Sequence, residues 1–205
     1  DVYKRQTYST GRQRKTEIRI FDDVDIKKVV VKNSKLYVNR EDGFIGTSLR
    51  REEYVEDCSD IDDIIVFTSN GDMIVTKVDS KKFVAKNILY VSVFKKRDSR
   101  TIYNMIYKEG KSGVSYIKRF NVTGVTRDKT YNLTSQNPKT KILHFSANPN
   151  GEAEIVTIQL RQSGSIKKLK WDLDFADLAI KGRSVKGNIV SLSLIHISEP
   201  TRLTS

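Results

Sequence analysis

The chain has 205 residues, 30% of them charged, and a formal net charge of +12, so its length suits one domain or most of one. No apolar run approaches the roughly 18 residues of a membrane span, and the single cysteine, Cys58, excludes an internal disulfide framework and fits a reducing compartment. A basic excess of this size points to a polyanion, with nucleic acid first.

Asp1-Val2-Tyr3-Lys4-Arg5-Gln6 can be encoded as GAT GTG TAT AAG AGA CAG. The reverse complement of that DNA translates as Leu-Ser-Leu-Ile-His-Ile, the residues at Leu192 to Ile197. The two ends thus read as opposite strands of one element that resembles a transposon end used in sequencing libraries. Residues 1–6 and 192–205 are therefore expected to be adaptor-derived and to pack poorly, with a segment of a longer gene between them. Removing them leaves the basic excess almost unchanged.

Residues 7–25 are polar, with Arg12, Arg14, Lys15 and Arg19 interspersed, and read as a linker. Residues 26–191 carry one hairpin pattern four times. Val29-Val30-Val31 leads through Asn33-Ser34 to Lys35-Leu36-Tyr37-Val38. Ile64 to Phe67 leads through Ser69-Asn70-Gly71 to Met73 to Thr76. Met105-Ile106-Tyr107 leads through Gly110 to Gly113 into Val114 to Ile117, and Ile142 to Phe145 leads through Asn148-Pro149-Asn150-Gly151 into Ala153 to Val156. The copies recur about every 40 residues, the period of radially repeated β blades. Hairpins are predicted over 29–40, 64–78, 102–120 and 142–160. Lys167 to Phe175 alternates cleanly and would open a fifth unit. No helical stretch of ten or more is expected, and one isolated hairpin could not bury its own face.

Basic residues recur at similar places in successive units: Lys95, Lys96 and Arg97 with Arg100; Lys118 and Arg119; Arg127 with Lys129; Lys139 with Lys141; Lys167 and Lys168 with Lys170. A charge run is usually a solvated face, but recurrence in register with a blade period fits a row of phosphate contacts. The acidic cluster Glu52, Glu53, Glu56, Asp57, Asp60, Asp62 and Asp63 could hold Mg²⁺; an exposed spacer loop is the stronger reading. His144 alternates with apolar residues and reads as a core or flank histidine rather than a ligand. Cys58 reads as inert. Gly110-Lys111-Ser112 lacks the glycine that a phosphate loop needs five residues earlier, where Met105 stands. No nucleophile–base pair or carboxylate dyad appears, so no catalytic residue is assigned and no metal site. A propeller used purely for protein docking would be near neutral with an apolar patch on one face.

Gly43 to Leu49, followed by Asp60 to Gly71, resembles the C-terminal domain of bacterial type IIA topoisomerase A subunits, the topoisomerase IV branch ahead of the gyrase branch. The likeness continues through Arg100 to Asn104, Gly113 to Phe120, Thr123 to Lys129, Ala147 to Glu154 and Leu178 to Arg183. The resemblance implies an all-β fold: a β-pinwheel, here a partial propeller-like disc of about four to five blades where the family has about six. It implies a non-catalytic domain that binds and bends double-stranded DNA and presents it for ATP-dependent strand passage, in a bacterial cytoplasmic, nucleoid-associated enzyme. The implied parent assembly holds two copies of the A chain with two ATPase B subunits. Mg²⁺ and ATP enter through the B subunits, with no cofactor in this segment and no membrane. The family's catalytic tyrosine lies upstream and nothing here matches it. The gyrase branch carries a Gln-Arg-Arg-Gly-Gly-Lys-Gly box that drives full wrapping. Lys181-Gly182-Arg183-Ser184-Val185-Lys186-Gly187 keeps Arg183, Lys186 and Gly187 of that box but not its paired glycines or leading glutamine. Lys181, Arg183 and Lys186 join the expected DNA contacts. The departure favours relaxation and decatenation over gyrase-type wrapping.

Overall fold

The computed structural model describes residues 32–135, 137–160, 170–191 and 195–197. Within them the chain is all-β, with one short 3₁₀ turn and no helix long and apolar enough to cross a membrane. It begins with β1 (Ser34–Asn39), which turns into β2 (Phe44–Gly46), and β3 (Glu53–Cys58) returns to the other edge of β1. A second hairpin follows, β4 (Asp63–Thr68) and β5 (Asp72–Lys77). The chain then leaves its own sheet. Strand β6 (Lys82–Phe83) pairs with β2, and β7 (Ile88–Phe94) comes back to β4.

The excursion repeats. After the hairpin β8 (Ile102–Lys108) and β9 (Ser115–Asn121), β10 (Thr130–Asn132) pairs with β5 and β11 (Lys141–Asn148) returns to β8. Strands β12 (Ile155–Leu160) and β13 (Lys170–Asp174) pair, and the 3₁₀ turn Phe175–Asp177 follows. Then β14 (Ile180–Gly182) and β15 (Asn188–Ser191) cross to β9, and β16 (Ile195–Ile197) returns to β12. All pairings are antiparallel except β14 on β9. Three sheets therefore read third strand, first strand, second strand, then a strand lent by the next unit, and the fourth keeps its own three. Among the described residues this is a partial β-pinwheel of four sheets, with no closed barrel.

Side-chain alternation explains how the sheets stack. Ile64 and Val66 of β4 pack with Leu36, Val38, Ile45 and Cys58 of the first sheet. Ile65 and Phe67, one residue out of phase, pack with Tyr103, Met105, Tyr107 and Phe120 of the third. On β8, Ile106 faces the other way and joins Ile117, Val156, Ile158 and Phe175. Strands β4 and β8 thus bury both faces, while β1 of the first sheet keeps the alternation of a strand buried on one face. Phe67 sits 4.7 Å from Phe145 and 4.9 Å from Tyr103, ring centre to ring centre, and is fully buried. Burial pushes the Tyr103 and Tyr107 phenols up. Gly43 has φ +83, and a Cβ there would lie 2.3 Å from the Ala85 carbonyl oxygen, so only glycine lets the lent strand cross this closely.

The structure corrects two predicted hairpins. The first turn lies after Asn39, not at Asn33-Ser34, because Ser34 is already in β1; Val29 to Val31 lie outside the described residues. The fourth is not a hairpin: β11 belongs to the third sheet and β12 to the fourth, and Asn148 to Gly151 joins them. Equal strand spacing cannot tell a turn within a sheet from a turn between sheets. Lys170 to Asp174 accordingly completes the fourth unit and does not open a fifth. Ile195–Ile197 pairs as an edge strand on β12, in the slot where the repeat places its third strand. An open edge accepts β-branched residues through the backbone alone. Residues 1–31, 136, 161–169, 192–194 and 198–205 lie outside the described residues, and with them Lys167, Lys168 and the linker at 7–25.

Candidate nucleic-acid interface

Each lent strand must cross from its own sheet to the preceding one, so the connector ahead of it runs over the surface, where solvated side chains belong. Three such connectors exist among the described residues: 78–81, 122–129 and 175–187, the last interrupted by the short lent strand β14. All three carry or adjoin basic residues. The first carries Lys81 and adjoins Lys82 and Lys86; the second carries Arg127 and Lys129; the third carries Lys181 on β14 and Arg183 and Lys186 after it. Lys81, Lys82 and Lys86 are absent from the contacts expected from sequence. Their signal is the strand exchange, which puts them in the same place as the other two sets.

The middle connector gathers the others. The Arg97 amide donates to the Thr123 carbonyl at 3.1 Å, so the turn after β7 abuts the start of this connector. That turn exposes Lys95, Lys96 and Arg97. On the far side, the Arg183 guanidinium donates to the Gly124 carbonyl at 2.5 Å and lies 4.4 Å from the Tyr131 ring centre. Lys129 approaches the same ring at 5.5 Å. Lys82 meets Asp128 at 2.7 Å, and Arg127 meets Asp63 at 2.7 Å. Lys95, Lys96, Arg97, Lys129, Arg127, Lys82 and Arg183, from three sheets, thus gather along this connector as a basic ridge in which Asp128 and Asp63 pair with Lys82 and Arg127. A Cβ added at Gly124 or Gly182 would meet nothing within 4 Å, so the backbone is uncrowded at these two points.

Other expected contacts stand apart. Lys139 and Lys141 are exposed beside a polar depression of about 530 Å³ that Asn70, Asp72, Asn132 and Thr134 also line. Lys141 lies directly opposite Lys108 across the β8–β11 ladder. Like charges there repel unless an anion lies between them. This pair sits at the opposite end of β8 from the ridge, roughly 20 Å along the strand. Lys170 and Lys181 are exposed, and Lys181 donates to Asn188 Oδ1 at 3.4 Å. Arg100 is exposed and pairs with Asp98 at 3.4 Å. Lys186 meets Glu109 at 3.1 Å. Hydrogen bonds from Ser112, Ser135 and Lys186 hold the Glu109 carboxyl down at about 2.

Lys118 and Arg119 are a correction: both are buried, at 3% and 8% exposure, and cannot reach a phosphate from there. The Lys118 ammonium donates to the carbonyls of Leu133, Arg183 and Val185. Arg119 donates to the carbonyls of Gly151 and Phe175. Adjacent on β9, they point to opposite faces of the strand, and nothing in the local sequence shows that both faces are covered. Only the packing of neighbouring units over β9 encloses them.

The acidic cluster is dispersed. Glu53 pairs with Arg40 at 2.7 Å, Glu56 accepts from the Ser92 hydroxyl and the Val93 amide, and Asp62 accepts from the Ser59 amide. Among the described residues no group of three or more His, Cys, Asp or Glu could hold a metal ion. His144 is 10% exposed in its side chain and bonds Glu154 at 2.9 Å. Burial works against the Glu154 carboxylate, but bonds from His144, Ser146 and Asn104 win and hold it at about 2. Cys58 is buried and free, and burial raises its thiol.

The family model described as topoisomerase C-terminal domain, Bacteroidota, matches residues 35–197. The chain is 32% identical over 143 residues to the A subunit of DNA topoisomerase 4 from Borreliella burgdorferi, covering 69% of this chain and 22% of that protein. The chain thus spans about a fifth of the length of that curated relative. No solved structure matches.

Proposed function

The chain belongs to the topoisomerase C-terminal domain family, as the C-terminal domain of a type IIA topoisomerase A subunit, and from that premise we propose that it binds and bends duplex DNA without cutting it. The observation that carries this reading is the ridge around residues 122–131, where cations from three sheets meet on one open surface. Such a surface neutralises successive phosphates and releases counterions, and it reads no base edges. In the whole enzyme the domain would present a duplex to a cleavage core, with ATP and Mg²⁺ handled by partner subunits. The segment Lys181 to Gly187 lacks the paired glycines and leading glutamine of the gyrase box, which favours partial bending over full gyrase-type wrapping.

A titration of a short random duplex by fluorescence anisotropy, from low to moderate salt, tests the reading. With about four to six phosphates neutralised, log affinity against log salt should fall with a slope of roughly −4 to −5. Binding that ignores salt would refute the ridge and favour a protein-docking module.

A further inference from the structure

We infer that the outer face of the first sheet is a stacking platform for unpaired bases of single-stranded DNA, formed by Tyr54, Tyr37, Phe44 and Phe83. The site uses none of the ridge's cations and does not depend on the duplex-binding reading.

The sheet order β3-β1-β2-β6 places one of these aromatics on each strand. Alternation sends Leu36, Val38 and Ile45 inward to the core, so Tyr37 and Phe44 point outward. Tyr37 stands opposite Tyr54, and Phe44 opposite Phe83, so all four rings share the outer face. They meet edge to face in two pairs. The ring centres of Tyr37 and Tyr54 lie 6.0 Å apart, and those of Phe44 and Phe83 lie 5.5 Å apart. From β3 to β6 the stripe crosses three strand spacings, about 14 Å. Strands β4 and β8 have both faces covered by neighbouring sheets. Here the outer ring of each pair is open: Tyr54 is 49% exposed and Phe83 is 53% exposed.

Each pair carries a lysine. Lys35 Nζ lies 5.7 Å from the Tyr54 ring centre, and Lys81 Nζ lies 4.6 Å from that of Phe44. Among the described residues neither ammonium is in a salt bridge. A Cβ on Gly46 would lie 2.2 Å from the Ser80 carbonyl oxygen, so glycine there lets the chain at 79–81 press against β2 and bring Lys81 over the ring. The carboxylates beside the stripe are engaged. Glu53 pairs with Arg40 at 2.7 Å, and Asp57 accepts from the Tyr54 hydroxyl at 3.0 Å. Every base has a π-face, so exposed rings stack on bases without reading sequence while flanking cations track the phosphates. The core of a protein interface is depleted in lysine, so ammoniums standing over the rings favour a polyanion that carries bases. A duplex keeps its bases inside the stack, and taking one out costs energy, so the ligand is a stretch already unpaired. The choice of DNA over RNA rests on the family to which the chain belongs.

The test is an anisotropy titration of the full chain with labelled oligo(dT) of about ten nucleotides, beside an abasic strand of the same length and charge. Oligo(dT) should bind more tightly than the abasic strand. Tyr54→Ala and Phe83→Ala, both at exposed positions, should each weaken oligo(dT) binding by at least about five-fold, the low end of one base–aromatic stack. Phe83→Trp should hold or tighten it, and none of the three should alter affinity for a short duplex. Where an alanine variant fails to fold, Tyr54→Leu or Phe83→Leu keeps the bulk without the ring and takes its place. Three results overturn the inference: no binding of oligo(dT), equal binding of the abasic strand, or ring-free variants that bind like the wild type. Tighter binding of oligo(rU) than of oligo(dT) overturns the assignment to DNA. A dimer in sedimentation that Phe83→Ala dissolves gives the face to a second copy instead. Loss of duplex binding alone, with oligo(dT) still bound, sinks the ridge and leaves this site standing.

Discussion

Reversing the charge of Lys95, Lys96 and Arg97 together, each to Glu, is the sharpest perturbation of the ridge. All three side chains are exposed in the turn after β7, where the Arg97 amide meets the Thr123 carbonyl. If each contacts one phosphate, each contributes about 0.9 to the salt slope, so losing three should take a slope of roughly −4 to −5 to about −2. Added repulsion between the new carboxylates and DNA should weaken binding further at low salt. The same substitutions should barely move thermal stability, since surface changes away from caps and cores usually stay within about 0.5 kcal/mol. Anisotropy titrations across several salt concentrations, paired with a thermal melt, read both quantities. Neutralising Glu52 and Glu53, which are exposed on the first unit, serves as the control and should leave the slope alone. A triple variant with wild-type slope and wild-type melting would show that this turn touches no phosphate.

Glu154 has a folded pKa held at about 2, below its ordinary value, so its contribution is fully present above about pH 4.5 and lost as pH falls toward 2; that shift corresponds to about 3 kcal/mol. Denaturant unfolding at pH 5 and about pH 3 should show the loss, and Glu154→Gln should flatten it; an unchanged acid limb would count against the His144–Ser146–Asn104 network. Phe67→Ala empties the centre of the aromatic cluster between the second and third sheets and should cost about 3–5 kcal/mol in a chemical melt. The chain incubated with Mg²⁺ and supercoiled plasmid should yield no linear product, because strand cleavage needs a positioned nucleophile and metal-held charge stabilisation; linear DNA on a gel would contradict this.

The residue pattern by itself determined the all-β class, the hairpins at β4–β5 and β8–β9, and the family, because short apolar runs bounded by Asn, Gly and Ser turns leave few other options. It also located the exposed cations of the ridge at Lys95 to Arg97 and at Lys129. Which sheet each strand joins was decided only by the tertiary structure. Backbone donors and acceptors on a strand edge are the same for every sequence, so β6, β10 and β15 carry no local mark of the neighbour they will pair with. That exchange is why Asn148 to Gly151 reads like a hairpin turn and why Lys81, Lys82 and Lys86 do not stand out in sequence beside the other connectors. It is also why Lys118 and Arg119, adjacent cations that point to opposite faces of β9, end up enclosed: the fourth unit lays β14 and β15 along β9 and supplies carbonyls to both side chains. Charge is a property of the sequence, but whether a cation meets a phosphate or a buried carbonyl depends on which long-range strand covers it.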